Sequence, residues 1–445
     1  MKITLSSYFS DTIKVEDGFS NDLFGRKKFG DSLAAIIRQS NGKFTLAITG
    51  NWGEGKTTFA KQWQGELSST GIQSIYIDAF AQDYVDDAFM VLASAINDHL
   101  KTVKSSASSK FTEKVKKVGA HLLGVGTKLG IRVATAGILS DDDLKDVRSI
   151  GADISKDVGS AAEKYIKERL DNHTKDVATI KDFKETLSEL AGTLDEEAKG
   201  PFTIIIDELD RCRPSFAVEL LEKIKHFFSV ENVAFVLVMN RTQLEESIRA
   251  TYGTNIDAHT YLQKFISIEA SIPRNKSEYD SDIPKYCKYL AAEHEMPDTG
   301  KYLDVLSAYC EHLALSLREI EKVFTYICIA IGAKARTDED SFVFCCLAAT
   351  LKVKNPKLFQ IIAENKADIH SIAIGLGCPN FQDDNDETAP HEVKYTLRFA
   401  NACLMSDEEF KNIDDGYRRI FFGYGGRRAI LFNRSFQLLS SFSLR

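Results

Sequence analysis

The sequence predicts an α/β fold in which a mainly parallel sheet is flanked by helices and followed by a C-terminal α-helical domain. Three runs of apolar and β-branched residues predict the sheet, at 44–49, 202–206 and 233–239. Continuous runs of this kind are typical of strands buried on both faces of a parallel sheet. They end in a glycine-rich loop, two carboxylates and an asparagine, respectively. Because open α/β sheets bind ligands at the carboxyl ends of their strands, these three segments are the candidate site.

The composition is that of a globular protein with a sizeable core. The chain has 445 residues, of which 44% are hydrophobic and 27% charged, and this length indicates two or three domains. The net charge of −8 excludes a global basic field for nucleic acid, although local patches are allowed. The eight cysteines lack C-x-x-C and zinc-site spacing, and the N-terminus has no charged segment followed by an apolar core. We therefore expect reduced thiols and a cytoplasmic location.

The loop after the first strand reads G-x-x-x-x-G-K-T over residues 50–57. Glycines are needed because backbone N–H groups must wrap around phosphate oxygens, and the following helix N-terminus adds partial positive charge. We predict a phosphate-binding loop in which Lys56 reaches the β- and γ-phosphates and the Thr57 hydroxyl ligates Mg²⁺. A glycine-rich turn before a helix is the alternative. The predicted nucleotide-binding residues are Gly50, Asn51, Trp52, Gly53, Glu54, Gly55, Lys56, Thr57 and Thr58.

The segment upstream of this loop is a candidate for the base side of a nucleotide pocket. Residues Leu23, Phe24 and Arg26 lead into a stretch at 32–38 whose apolar residues recur at helical spacing. In ATPases a loop and helix at this place often pack against the adenine, and on that ground Arg26 is predicted to bind the nucleotide. An entry loop that only caps the sheet is the alternative.

After the phosphate loop, residues 74–80 predict a second strand, and residues 86–100 predict a helix with an acidic first turn. Residues 101–200 are then predicted to form a helical insertion between the two halves of the sheet. Within it, residues 118–139 could span a bilayer, but His121, Lys128 and Arg132 interrupt the stretch, and cations near mid-span are costly. A small-residue helix packed inside the protein is favoured. A surface-lying membrane helix, which would place the protein at the inner membrane, and a partner-binding hairpin are the alternatives.

The acidic motif Asp207-Glu208-Leu209-Asp210-Arg211 follows the second apolar run. Asp207 would hold Mg²⁺, and Glu208 would orient and polarise the attacking water of a phosphoryl transfer. An acidic pair after a strand can instead cap a loop or helix, but the phosphate loop upstream favours the metal-and-base interpretation.

Two further residues are candidates for contact with the γ-phosphate. Asn240 ends the third apolar run and could touch that phosphate or the water, the alternative being a turn-forming asparagine. Arg318 lies in an amphipathic helix predicted at 316–324 and could act from an α-helical lid, the alternative being a surface arginine. A final strand is predicted at 265–273.

The sequence predicts four parts. These are a core formed by 1–100 and 201–275, the insertion at 101–200, a helical lid at 276–375 and a C-terminal extension at 376–445. In the extension we expect an exposed acidic loop at 379–392. Aromatic and arginine residues mix at 417–428, where packing is favoured over a partner or nucleic-acid surface.

These motifs together resemble the KAP family of P-loop NTPases. The resemblance covers roughly residues 15–330 and rests on four segments: 50–57, 206–212, 240–265 and 316–320. It implies an ASCE-type sheet, in which one strand separates the acidic strand from the phosphate-loop strand, and ATP hydrolysis as a conformational switch. In bacteria it often implies defence against phage. Glu208 stands where the family usually has a second Asp, and the resemblance leaves open whether Arg211 or Arg213 bridges subunits.

Three functional hypotheses follow, and the first is favoured. It is a Mg²⁺-dependent ATPase that acts as a switch, with self-association or an effector protein as the partner. ATP is preferred over GTP because no N-K-x-D follows a late strand. The second hypothesis is a scaffold that ATP orders with little turnover. The third is an ATPase that acts on nucleic acid, which the acidic charge and the absence of helicase motifs disfavour.

Overall fold

The computed structural model contains two compact units. The first is formed by the described residues of Ile13–Asn51 and Lys56–Pro273, and the second by those of Trp52–Gly55 and Arg274–Arg445. The structure describes residues 14–40, 42, 44–85, 88–102, 181, 184–185, 187–189, 191, 199–225, 227, 229–275, 281–296, 300–333, 339–383, 387–412 and 428–444.

The first unit is built on a five-stranded parallel sheet with the strand order β2-β3-β4-β1-β5. Strand β4 therefore separates the phosphate-loop strand β1 from the acidic strand β3, which confirms the predicted ASCE-type arrangement. The strands are β1 (Phe44–Thr49), β2 (Ser74–Asp78), β3 (Phe202–Asp207), β4 (Val233–Met239) and β5 (Ile268–Ser271).

Helices cover both faces of this sheet. They are α1 (Lys27–Gln39), α2 (Lys56–Ser69), α3 (Ala88–Thr102), α4 (Pro214–Ile224), α5 (Arg241–Tyr252) and α6 (Ala258–Gln263). Successive strand residues point to opposite faces. Leu46 and Ile48 accordingly join the core with Trp63 of α2, whereas Ala47 joins the core with Leu221 of α4. All residues of β1, β3 and β4 are buried, while the short edge strand β5 is mostly exposed. The apolar runs predicted the three central strands for this reason.

Helix α2 packs closely, at Gly65, against the backbone of residues 15–18, which precede α1. A Cβ added at Gly65 would lie 1.9 Å from the carbonyl oxygen of Val15 and 3.0 Å from Gly18 Cα. Only glycine allows this approach, because the nearest atoms belong to backbone that cannot rotate away.

The change Gly65→Ala is expected to lower the free energy of unfolding by about 1–3 kcal/mol, because overpacking outweighs the better helix propensity of alanine. Urea denaturation measures the change. Ser68→Ala, at an exposed position of the same helix, is the matched control and should stay within about 0.5 kcal/mol of the parent. A Gly65→Ala protein as stable as the parent would contradict this packing.

The second unit is helical. Its helices are α7 (Asp282–Glu293), α8 (Gly300–His312), α9 (Leu317–Gly332), α10 (Glu339–Lys354), α11 (Pro356–Ala363), α12 (Ile369–Gly375), α13 (His391–Leu404), α14 (Asp407–Lys411) and α15 (Arg428–Ser440). Helix α9 begins with a capping box in which Ser316 and Glu319 satisfy each other's backbone N–H groups. All eight cysteines are buried thiols, as the composition predicted. The described part of 379–392 is mostly exposed, as predicted, although Phe381 and Ala389 are buried.

Glu321 is a buried carboxyl group of α9. Its Oε1 accepts a hydrogen bond from the hydroxyl of Tyr286 on α7. Burial raises the pKa of Glu321 to about 7, and the charge of Arg318 opposes this shift only in part. Because the folded state then binds the proton more tightly than the unfolded chain, stability falls as the pH rises from the ordinary value of 4.5 towards 7.

The change Glu321→Gln is therefore expected to stabilise the protein at pH 8 and to have little effect at pH 4.5. A pKa rise to about 7 sets an upper limit of about 3 kcal/mol on the gain. Chemical denaturation across this pH range measures it, with the exposed Glu408→Gln as the matched control. If Glu321→Gln raised the free energy of unfolding equally at pH 4.5 and pH 8, a proton on Glu321 would not explain the effect.

The predicted insertion lies almost entirely outside the described residues, as do the 118–139 stretch and the 417–427 part of the aromatic tail. Within the described ranges, no helix combines the length and hydrophobicity needed to cross a bilayer. The four-part division of the chain stays a prediction.

Candidate functional site

The carboxyl ends of β1, β3 and β4 bring the three predicted motifs to one edge of the sheet. In the register of the strands, Thr49 pairs with Met239 and Asp207 pairs with Val238. The N–H of Gly50 also donates to the carbonyl of Met239 at 3.3 Å. The start of the phosphate loop, the acidic motif and Asn240 are therefore neighbours, as the parallel arrangement requires.

The phosphate loop is closed around its own lysine. Lys56 is the first residue of α2 and is buried, and its Nζ donates to the carbonyl oxygens of Gly50 at 2.9 Å and Asn51 at 3.0 Å. Gly53 and Gly55 adopt φ angles of 77° and 81°, which only glycine adopts readily. The loop thus has the lysine and the helix N-terminus that anion binding requires.

The tip of this loop, Trp52–Gly55, belongs to the second unit. It contacts the start of α9 in the same unit. The N–H of Leu317 donates to the carbonyl of Gly53 at 2.9 Å. A Cβ on Gly53 would lie 3.0 Å from the Cβ of Arg318. The structure therefore places the backbone of Arg318 beside the loop tip, and its action on a γ-phosphate stays a prediction.

Asp207 is fully buried and accepts several hydrogen bonds. Its Oδ1 accepts from the backbone N–H of Glu208 at 2.7 Å, and its Oδ2 accepts from the Tyr76 hydroxyl at 2.8 Å. The Thr57 hydroxyl lies beside this carboxylate and favours its charged form. Burial nevertheless raises the pKa of Asp207 to about 6, because a carboxylate removed from water is costly unless a cation lies nearby. Burial and the charge of Asp207 raise the pKa of Tyr76 far above its ordinary value, so the phenol is a donor.

Glu208 follows in the left-handed backbone region, with φ of 60°. A glutamate pays a conformational cost there, and such positions cluster at active sites. Its Oε1 lies 3.3 Å from the Thr57 hydroxyl. Nη1 of Arg211 lies 2.8 Å from Oε1 and 2.9 Å from Oε2. The carboxylate predicted to act on water is therefore held by Arg211 of the same chain.

The residues at this edge fit a magnesium ion. Mg²⁺ prefers oxygen ligands, and in NTPases it takes one or two carboxylates together with substrate phosphates. The Thr57 hydroxyl lies beside the Asp207 carboxylate. The Asp207 carboxylate is buried away from solvent. Thr57 and Asp207 would hold the ion, as the sequence predicted.

The other predicted residues are placed as follows. Asn240 caps α5, where its Oδ1 accepts from the N–H of Gln243 at 3.3 Å, so the turn-forming role weighed from the sequence is present. Arg26 is buried, and its guanidinium lies 4.7 Å from the centre of the Phe24 ring. Arg213 contacts Asp83 after β2, and Thr58 lies in the first turn of α2. Their roles toward a nucleotide stay predictions.

Sequence reasoning missed Tyr76. The segment around it predicted only a strand, because a tyrosine with strand-forming neighbours is an ordinary strand residue. Its contact with Asp207 spans 131 positions of the chain. The signal that could have found it is the pairing of β2 with the acidic strand, which the sequence alone does not provide.

Fold and site together define the class of the protein as a P-loop NTPase. The family model for the KAP family P-loop domain matches residues 26–324. This chain belongs to the KAP family.

Two further comparisons were found. The chain is 24% identical over 165 residues to the phage T7 exclusion protein of Escherichia coli strain K12. That match covers 36% of this chain and spans about a fifth, 22%, of the relative. The solved structure of the Aeropyrum pernix ORC1 protein in complex with DNA aligns with 94% of this chain and 87% of that chain, at 14% identity and a TM-score of 0.37.

Proposed function

We propose that this protein binds and hydrolyses ATP with Mg²⁺ at the edge of the sheet formed by β1, β3 and β4. The observation that carries the proposal is that the phosphate-loop residue Thr57 lies beside the buried Asp207 and 3.3 Å from Oε1 of Glu208. Catalysis of phosphoryl transfer consists mainly of positioning and charge stabilisation. It therefore requires residues that hold a metal ion and a carboxylate that orients the attacking water.

Each residue has a defined task in this proposal. Lys56 moves from the Gly50 and Asn51 carbonyls to the β- and γ-phosphates. Thr57 and Asp207 hold the metal ion, which when bound neutralises charge on the phosphate oxygens. Glu208 orients the attacking water and accepts its proton. Glu208 must first exchange its ion pair with Arg211 for that water.

Asn240 would contact the γ-phosphate, and Arg318, beside Gly53 of the loop tip, is proposed to act on the same phosphate. Asn240 would donate its amide hydrogens while its oxygen caps α5. Arg26 and Phe24 would form the base side of the pocket, since the buried guanidinium over the ring makes a rigid, flat surface. ATP is favoured over GTP because no N-K-x-D motif follows a strand of the sheet; the run of this pattern at 365–368 lies between helices α11 and α12.

Phosphate release from ATP tests this proposal. Purified full-length protein should release phosphate in the presence of Mg²⁺ and lose at least about 90% of that rate in EDTA, since metal ions neutralise the charge that develops during phosphoryl transfer. GTP should be a poorer substrate. A rate that EDTA does not change would contradict the proposed metal site.

We also propose that ATP turnover acts as a conformational switch in defence against phage. The support is family membership together with the partial similarity to the phage T7 exclusion protein, whose name describes exclusion of a phage. Phage plating efficiency should fall on cells that express this protein and recover when Lys56→Ala replaces it. Equal plating with both proteins would contradict a nucleotide-dependent defence role.

One observation favours a second candidate, a scaffold that ATP orders with little turnover. The Glu208 carboxylate is ion-paired with Arg211, an arrangement suited to slow hydrolysis. Light scattering separates the two functions. A scaffold should assemble with ATP and remain assembled in Glu208→Gln, with turnover near background in the parent. A switch should assemble with ATP and dissociate as ADP accumulates.

A further inference from the structure

We propose that Tyr76 is a positioning residue that orients Asp207 toward the metal ion. The inference rests on the proposed function, because it assigns a role to Tyr76 at the same metal site. The structure brings the phenol of β2 and the carboxylate of β3 together at 2.8 Å.

The hydrogen bonds of Asp207 fix the plane of its carboxylate. Oδ1 is held by the backbone N–H of Glu208 and Oδ2 by the Tyr76 hydroxyl. With a donor on each oxygen, rotation about the last side-chain bond would break a hydrogen bond in a fully buried place, at a cost of about 1–3 kcal/mol. The two hydrogen bonds therefore fix the orientation of the Asp207 carboxylate relative to Thr57 before a metal ion binds.

The Tyr76 side chain, which donates this hydrogen bond, is held in place by the sheet and the core. In the parallel pairing of β2 with β3, Tyr76 lies opposite Ile205 and Asp78 lies opposite Asp207. The tyrosine therefore reaches along the sheet toward the carboxyl edge. Its ring packs on the core that contains Ile205 and Trp63, so the hydroxyl is held by a side chain with little freedom to move.

The chemistry of a phenol suits this role. A lysine or arginine at this place would neutralise Asp207 and weaken its attraction for a cation. A neutral hydroxyl satisfies one oxygen and leaves the full negative charge for the ion. Partners of this kind, which bind the ligand of a metal, typically change metal affinity about 10–100-fold when removed.

The change Tyr76→Phe tests this role, because it removes one oxygen atom and keeps the ring. The readout is the dissociation constant of a fluorescent, non-hydrolysable ATP analogue in EDTA and in Mg²⁺. The ratio of the two constants measures how strongly the metal supports nucleotide binding. We expect the constant in EDTA to be unchanged and the ratio to fall about 10-fold or more in Tyr76→Phe. The exposed Tyr84→Phe is the matched control and should keep the parental ratio.

A structural role for Tyr76 predicts a different result. If the hydrogen bond to Asp207 only stabilises the fold, its loss would lower the melting temperature and leave the ratio of the two constants unchanged, and that outcome would overturn the inference while the proposed function stands. A parental protein that binds the analogue equally well in EDTA and Mg²⁺ would instead overturn the proposed metal site, and the inference with it.

Discussion

Replacing Glu208 with glutamine is expected to lower the rate of ATP hydrolysis about 10²–10⁴-fold, the usual contribution of a positioned general base. The amide keeps the size of the side chain but cannot accept the proton of the attacking water. It also cannot form the ion pair with Arg211. ATP binding should persist or become tighter, because the phosphate loop and Asp207 are unchanged. Phosphate release and equilibrium binding of ATP, measured on the same protein, check both expectations.

The control for this variant is Glu246→Gln. Glu246 is an exposed carboxylate of α5 whose ion pair with Arg249 also spans three residues. Its removal should leave hydrolysis within about twofold of the parent, because surface pairs contribute little. If Glu208→Gln retained the parental rate, the water-orienting role would be wrong, and the Glu208–Arg211 pair would be a structural feature of the loop after β3.

Replacing Lys56 with alanine is expected to weaken ATP binding at least about 100-fold. Hydrogen bonds to charged groups contribute about 1.5–3 kcal/mol each, and the lysine is predicted to contact two phosphates. Its Nζ also donates to the Gly50 and Asn51 carbonyls, so the loop should lose part of its shape when the lysine is removed. Equilibrium binding of ATP measures the effect.

Lys61→Ala is the matched control on the same helix, and it should bind ATP as the parent does. Parental affinity in Lys56→Ala would show that the phosphate loop is not where the triphosphate binds. A loss of affinity in both variants would point to the charge of α2 as a whole rather than to Lys56.

The sequence predicted what depends on local chemistry. The phosphate loop and the acidic motif each lie within a few consecutive residues, and strands β1, β3 and β4 are buried on both faces, so their apolar runs could be recognised. Element boundaries were less accurate: the last strand was predicted at 265–273, whereas β5 spans Ile268–Ser271.

The sequence could not predict contacts that depend on how strands are paired. The bond between Tyr76 and Asp207 exists because β2 lies beside β3, and a long stretch of chain separates the two strands. The ion pair between Glu208 and Arg211 is close in sequence, but it depends on the left-handed backbone of Glu208, which residue type does not indicate.

The most direct test of the central claim is a structure of the Glu208→Gln protein with ATP and Mg²⁺. The claim is that one phosphate loop and one buried aspartate hold a metal-bound triphosphate. The predicted density has the β- and γ-phosphates against Lys56 and the metal ion between Thr57 and Asp207. Nucleotide bound elsewhere, or a metal ion that Asp207 does not face, would contradict the account.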